Sequence, residues 1–227
     1  THVDSLQVSL AIGYSVMRSS EDHFEELFTE ADNNMYRNKL RYGKTVKKRT
    51  MEKLVHKLGR THPEVTLHSQ AVATLASKFA QALGYDEKQM EKVYTAGKFH
   101  DIGKVMVPKE LLHRMGKLSD KELTQVRKHA EIGYQLLKEV DDYKHLAEIV
   151  LSHHEWWNGT GYPQNIKGKD IPEASRIIAI ADAYETMTGK HSYRQPMSKE
   201  EAILELRKYA GTQFDPELTE LFIEKIL

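Results

Sequence analysis

At 227 residues the chain is long enough to bury a core of its own, and its 33 Lys plus Arg balance 33 Asp plus Glu, which removes the electrostatic case for nucleic acid or an anionic membrane as partner. There is no cysteine, so disulfides and thiolate ligands are excluded, any metal must be held by imidazole and carboxylate, and a reducing cytoplasm is the expected compartment. No apolar run approaches the ~20 residues of a membrane span, and nothing at the start resembles a secretory signal. A first residue Thr1 in place of Met makes the chain read as a piece of a longer protein, one whose upstream part is free to carry a membrane tether.

In chain order, Leu6, Val8, Leu10 and Ile12 alternate with Gln7, Ser9, Ala11 and Gly13, the period-two pattern of a half-buried strand. Phe24, Leu27, Phe28, Ala31 and Met35 then recur at helical steps, with Gly43 as a stop. One strand and one helix cannot bury a core, so residues 1–45 read as a fragment of another unit. The segment from Lys44 to Arg60 is basic, with Leu54, Val55 and Leu58 as its apolar positions. Balanced overall charge and the lack of interleaved aromatics favour a solvated connecting helix over 46–60 rather than a nucleic-acid patch.

From about Thr61 the pattern is helical to the end. Val65, Ala71, Val72, Leu75, Phe79 and Leu83 trace one face after Pro63, ending near Gly84, and Glu64 and His68, four apart, share a face. Asp86 with Gln89 has capping-box spacing and leads a helix to His100–Lys104, the sequence HDIGK. Ser119 with Glu122 opens another, in which His129 leans inward between Val126 and Ile132. The stretch from Leu146 runs through His153 and His154 into the irregular loop EWWNGTGYP. ASRIIAIADAYETM follows, nearly all apolar around Asp182, a carboxylate that needs a cation or strong hydrogen bonds if buried. Ser198 with Glu201, and Asp215 before Pro216, open two closing helices. No further strand is expected, and residues 61–227 read as an all-α domain.

Five of the 12 histidines, with Glu64, Asp101 and Asp182, fall on inward faces. A single inward histidine is more often hydrogen-bonded core than ligand. Several such histidines, with a His-Asp and a His-His pair, would demand many separate partners, whereas one or two metal ions satisfy them together. Imidazole mixed with carboxylate suits iron, manganese, nickel or zinc and disfavours calcium. Two such ions stabilise the attacking and leaving oxygens of a phosphoester displacement, and Lys104 is placed to neutralise a phosphate oxygen.

Two resemblances follow from these residues. VSLAIGYS and ELFTEADNNMYRNKLRYGK resemble the last strand and helix of a GGDEF (diguanylate cyclase) domain, without its signature loop, so cyclase activity is not expected. HDIGK, HHEWWNGTGYP, IAIADAYETMTG and the terminal GTQFDPEL resemble, from about Thr61 onward, the HD-GYP family of the HD superfamily of metal-dependent phosphohydrolases. This second resemblance implies hydrolysis of cyclic di-GMP to pGpG or GMP by two or three divalent ions, iron or manganese first among them. It implies that His68, His100, Asp101 and Asp182 hold one ion and Asp101, His129, His153 and His154 the second, with Asp101 bridging. Glu64 falls where three-metal members carry an extra ligand. The same resemblance gives Lys104, Glu185, His191 and Arg194 to the substrate, and makes Gly161, Tyr162 and Pro163 a loop near the site that contacts GGDEF domains; a homodimer is also compatible with it. The chain departs from the family pattern in Glu185, which stands where Asp is usual, and in His191, which stands where an arginine is usual and weakens that expected phosphate contact. The competing readings are hydrolysis of another cyclic dinucleotide and a non-catalytic cyclic-dinucleotide receptor.

Overall fold

Capping signals and prolines set the helix starts. The computed structural model describes residues 12–17, 24–40, 44–114, 116–189 and 195–227. These form α1 (Phe24–Leu40), α2 (Lys44–Thr61), α3 (Pro63–Ala82), α4 (Glu87–Phe99), α5 (Lys109–Leu112), α6 (Asp120–Arg127), α7 (His129–Lys138), α8 (Ala147–Leu151), α9 (Glu173–Thr188), α10 (Lys199–Tyr209) and α11 (Pro216–Ile226), with a 3-10 turn at Ile102–Met106. The capping boxes of α4, α6 and α10 are formed by Asp86/Gln89, Ser119/Glu122 and Ser198/Glu201. Asp215 caps α11 through the backbone N–H groups of Glu217 and Leu218. No helix among the described residues is long and apolar enough to cross a membrane.

The expected strand lies outside the described residues at Leu6, Val8 and Leu10, and its last member, Ile12, sits in a segment, 12–17, that is neither helix nor strand. Among the described residues there is no strand, only an isolated bridge between Ala210 and Phe214, so the strand half of the anticipated strand-helix fragment is not borne out. The helix half is α1, against which Asn34 and Asn38 hold the carbonyls of Tyr14 and Ile12 at 2.9 and 2.8 Å.

The core lies between α3, α4 and α9, closed by α11: Val72, Ala76, Phe79, Val93, Ile177, Ile178, Ile180 and Phe222 are buried, and the rings of Phe79 and Phe222 meet edge to face at 5.1 Å. The basic segment is helical as expected, but it is not a freely solvated linker. Met51, Leu54 and Leu58 are 1%, 0% and 5% exposed and belong to this same core. Among its described side chains the exposed ones are Arg49, Glu52, Lys53, His56 and Arg60, which is why composition masked the apolar stripe. The helix expected through His129 is interrupted at Lys128, so that His129 begins α7 rather than lying mid-helix.

Candidate metal centre

The centre is assembled where α4 ends. His100 and Asp101 leave the helix as the chain tightens into the 3-10 turn, and that turn lies directly on the start of α7. Gly103 permits this approach, because a Cβ there would stand 2.0 Å from the His129 carbonyl oxygen and 2.8 Å from the Gly133 nitrogen. The result brings His129 Nε2 to 3.4 Å from Asp101 Oδ1. Both residues are 1% exposed.

Backbone carbonyls fix the histidine tautomers. Nδ1 of His100, His129 and His153 faces the carbonyl oxygens of Gly97, Val126 and Val150 at 2.6, 2.7 and 2.5 Å. A carbonyl only accepts, so each Nδ1 carries the proton and each Nε2 presents a bare lone pair. The Nε2 atoms of His129 and His153 stand 3.4 Å apart with no proton to share between them. His100 Nε2 and Asp101 Oδ1 are buried without a hydrogen-bond partner. Converging, unprotonated ligand atoms of this kind fit a metal ion and little else.

Two sets of ligand atoms result, each within 4.8 Å: Asp101, His129, His153 and His154 form one, and His68, His100 and Asp101 the other. Asp101 belongs to both. Asp182 joins the second set through its Oδ1, 2.9 Å from His68 Nε2. On the far side of the ring His68 Nδ1 donates to Glu185, so Glu185 stands as an orienting partner of a ligand-type histidine. The GYP loop packs on the first set: the Tyr162 ring lies 4.8 Å from the His154 ring, with the Arg127 guanidinium 4.9 Å from the Tyr162 ring centroid. Gly161 makes this possible, since a Cβ there would meet the Trp156 nitrogen at 2.2 Å.

Charge is distributed unevenly across the centre. Burial lowers His129 to about 4 and His154 to about 3, and takes His153 well below the ordinary value, so these three imidazoles are neutral at neutral pH. Burial also opposes charge on His68, but its hydrogen bonds to Asp182 and Glu185 outweigh that and hold it up at about 10. Burial would raise Asp101, but the Lys104 ammonium beside it outweighs that and keeps this carboxylate ionised well below its usual range. The Lys104 ammonium, expected at a phosphate, donates to Asp101 Oδ2 at 2.6 Å while its side chain keeps 23% exposure.

Two cavities flank the centre. One of about 190 Å³ is lined by Glu64, His68, Asp101, Lys104 and Glu185. The other, about 300 Å³, is lined by His154, Trp156, Asp182, Tyr209 and Phe214 among others. Of the anticipated site residues, Glu64 is grouped with His62 and His113 rather than with either Asp101 set. His191 and Arg194 lie outside the described residues. Sequence reasoning did not find Glu155, whose carboxylate accepts from the Gln164 and Asn165 nitrogens to shape the loop, nor Arg176, which pairs with Asp215 and lies 5.7 Å from the Trp157 ring. Asp215 was legible only as a cap; nothing in its spacing signals a partner 39 residues away.

Comparison with known proteins adds a family. Residues 50–218 match the HD domain model. The chain is 37% identical over 163 residues to 3'3'-cGAMP-specific phosphodiesterase 2 of Vibrio cholerae, covering 71% of this chain and 31% of that protein. It is 32% identical over 163 residues to a cyclic di-GMP phosphodiesterase of Thermotoga maritima, covering 71% and 44%. The chain thus spans less than half the length of these relatives. Among solved structures, a cyclic GMP-AMP specific phosphodiesterase of Vibrio cholerae superposes with a TM-score of 0.59 at 19% identity, over 77% of this chain and 47% of that one, a likeness of fold.

Proposed function

The chain belongs to the HD domain family, and from that premise we propose that it is a metal-dependent phosphodiesterase of the HD-GYP type that hydrolyses cyclic di-GMP. The observation that carries this reading is Asp101, a buried carboxylate shared by two sets of histidine ligands with their lone pairs turned inward. In it, His129, His153 and His154 hold one divalent ion and His68, His100 and Asp182 the other, with iron or manganese the first candidates. Bound there, such ions activate water and offset the charge on a phosphodiester undergoing displacement. The protein's own groups do the rest. Lys104 and the carbonyls behind the imidazoles hold Asp101 ionised and the Nε2 atoms bare, while Glu185 orients His68. Trp156 and Tyr209, 36% and 38% exposed, offer ring faces beside the larger cavity for stacking a nucleobase.

His191 and Arg194 as phosphate contacts, a GGDEF-domain partner for the GYP loop, and a homodimer are further parts of the same reading. Residues 1–45 as the tail of a GGDEF-like unit are supported by the exposure of Ile12, Tyr14, Val16, Phe24 and Phe28, apolar side chains that such a unit would cover. The test is turnover of cyclic di-GMP by iron- or manganese-loaded protein, with 3'3'-cGAMP in parallel because a relative named for it shares 37% identity. Chromatography should show linear pGpG or GMP. Tight binding of both dinucleotides with no product from either would instead assign a receptor.

A further inference from the structure

Among the described residues, one more group of ligand-type side chains converges apart from the two sets that share Asp101. His62 is the residue before α3, Glu64 lies in the first turn of α3, and His113 follows α5. Glu64 Oε1 stands 3.5 Å from His62 Nδ1 and 3.5 Å from His113 Nε2, and the three ligand atoms lie within 4.8 Å of one another. The two imidazole rings are stacked, 5.5 Å apart and 20° from parallel. His62 is 3% exposed and its Nδ1 is buried with no hydrogen-bond partner. A carboxylate meeting a charged donor closes to about 2.7–2.9 Å, and a separation of 3.5 Å is too long for that. It is instead close to the roughly 3.3 Å between neighbouring ligand atoms when nitrogen and oxygen surround an ion at about 2.0–2.1 Å.

We propose that His62, Glu64 and His113 form a mononuclear site for a divalent zinc-like ion, separate from the centre built on Asp101. Two imidazoles and one carboxylate supply three ligands and leave a fourth position for water. Glu64 also lines the 190 Å³ cavity beside Lys104, so the site adjoins the proposed substrate cavity without sharing a ligand with the Asp101 sets. Glu64 is thereby reassigned, from an extra ligand of the shared centre to a site of its own. The proposal holds whether or not the chain hydrolyses a cyclic dinucleotide.

Its test reads binding, not turnover. The whole chain and its His113→Gln variant are loaded with Zn²⁺ or Co²⁺, dialysed and analysed for metal, and the pair is repeated in an Asp101→Ala background, where the shared ligand of the other sets is gone. His113→Gln should lower the stoichiometry by about one equivalent in both backgrounds and weaken the visible absorption of tetrahedral Co²⁺ in the Asp101→Ala protein. Far-UV dichroism of His113→Gln should be unchanged, since His113 follows a short, partly exposed helix. Equal stoichiometry with and without His113, at unchanged dichroism, would overturn the site. If Asp101→Ala does not fold, the comparison in the unaltered background decides alone.

Discussion

Two kinds of histidine surround Asp101, and they answer to protons differently. Burial keeps His129 and His154 neutral, at about 4 and about 3, whereas Asp182 and Glu185 hold a proton on His68 up to about 10. An ion entering the His68 set must therefore displace a proton at neutral pH, while one entering the His129 set displaces none. Affinity at the first set should rise by about tenfold per pH unit between about pH 7 and 8.5, one proton exchanged for one ion, and affinity at the second should stay flat. Titration with a competing metal indicator would resolve the two; a flat profile for both would show that His68 is not protonated in the metal-free protein. The same shifts govern metal-free stability. His129 and His154 have depressed values, so their contribution is complete above the unfolded value of 6.5 and is lost as pH falls toward about 4 and about 3. His68 has a raised value, so its contribution is complete below 6.5 and is lost as pH rises through about 10. Thermal unfolding of chelator-treated protein should thus be most resistant near pH 6.5 and fall away at pH 5 and at pH 9.

At the scale of elements, the centre depends on the 3-10 turn lying against α7. Gly103→Ala would drive a methyl group into the His129 carbonyl oxygen and the Gly133 nitrogen, which are backbone atoms that cannot rotate aside. The start of α7 must lift away, carrying His129 from Asp101, at a cost of about 1–3 kcal/mol for the overpacking. The variant should unfold at lower urea, and its His129 set should bind metal more weakly than its His68 set, because His68 reaches Asp101 from α3 without crossing this contact. Equal losses at both sets would mean that Asp101 itself had moved. Much at this scale could be read from sequence, because it is local: each capping box couples residues three apart, and HDIGK falls where the α4 pattern ends. The break at Lys128 was not legible, since Thr124 through Ile132 keeps helical spacing and the interruption follows from packing of α7 on the 3-10 turn. Likewise the pairing of Arg176 with Asp215, and the hydrogen bonds from Trp157 and Asn158 to the carbonyls of Gln213 and Thr212, tie the GYP loop to the C-terminal segment through contacts that no spacing announces.

For the whole molecule the question is where the folding unit begins. Sequence placed the boundary near Thr61 because the composition of the preceding segment is basic, and composition averages over both faces of a helix. The structure separates the faces: Met51, Leu54 and Leu58 of α2 sit in the core with Val65, Val72 and Phe79 of α3, while α1 leaves Phe24 and Phe28 75% and 65% exposed. Burying a large apolar side chain is worth about 1.5–3 kcal/mol, so the three in α2 together contribute roughly 5–9 kcal/mol, on the order of the entire stability of a domain, about 5–15 kcal/mol. Among the described side chains none of α1 is fully buried, and its contact with α2 includes the 2.7 Å ion pair of Lys57 with Asp32. A partly exposed pair of that kind contributes on the order of 1 kcal/mol. A chain beginning at Arg49 should therefore keep the unfolding midpoint and metal content of residues 1–227 nearly unchanged. One beginning at Thr61 should be largely unfolded or insoluble, with its metal lost as the α3 face that meets α2 opens to water. Equal stability of the two shortened chains would place α2 outside the folding unit, whereas failure of both would mean that α1, despite its exposed phenylalanines, holds α2 in place.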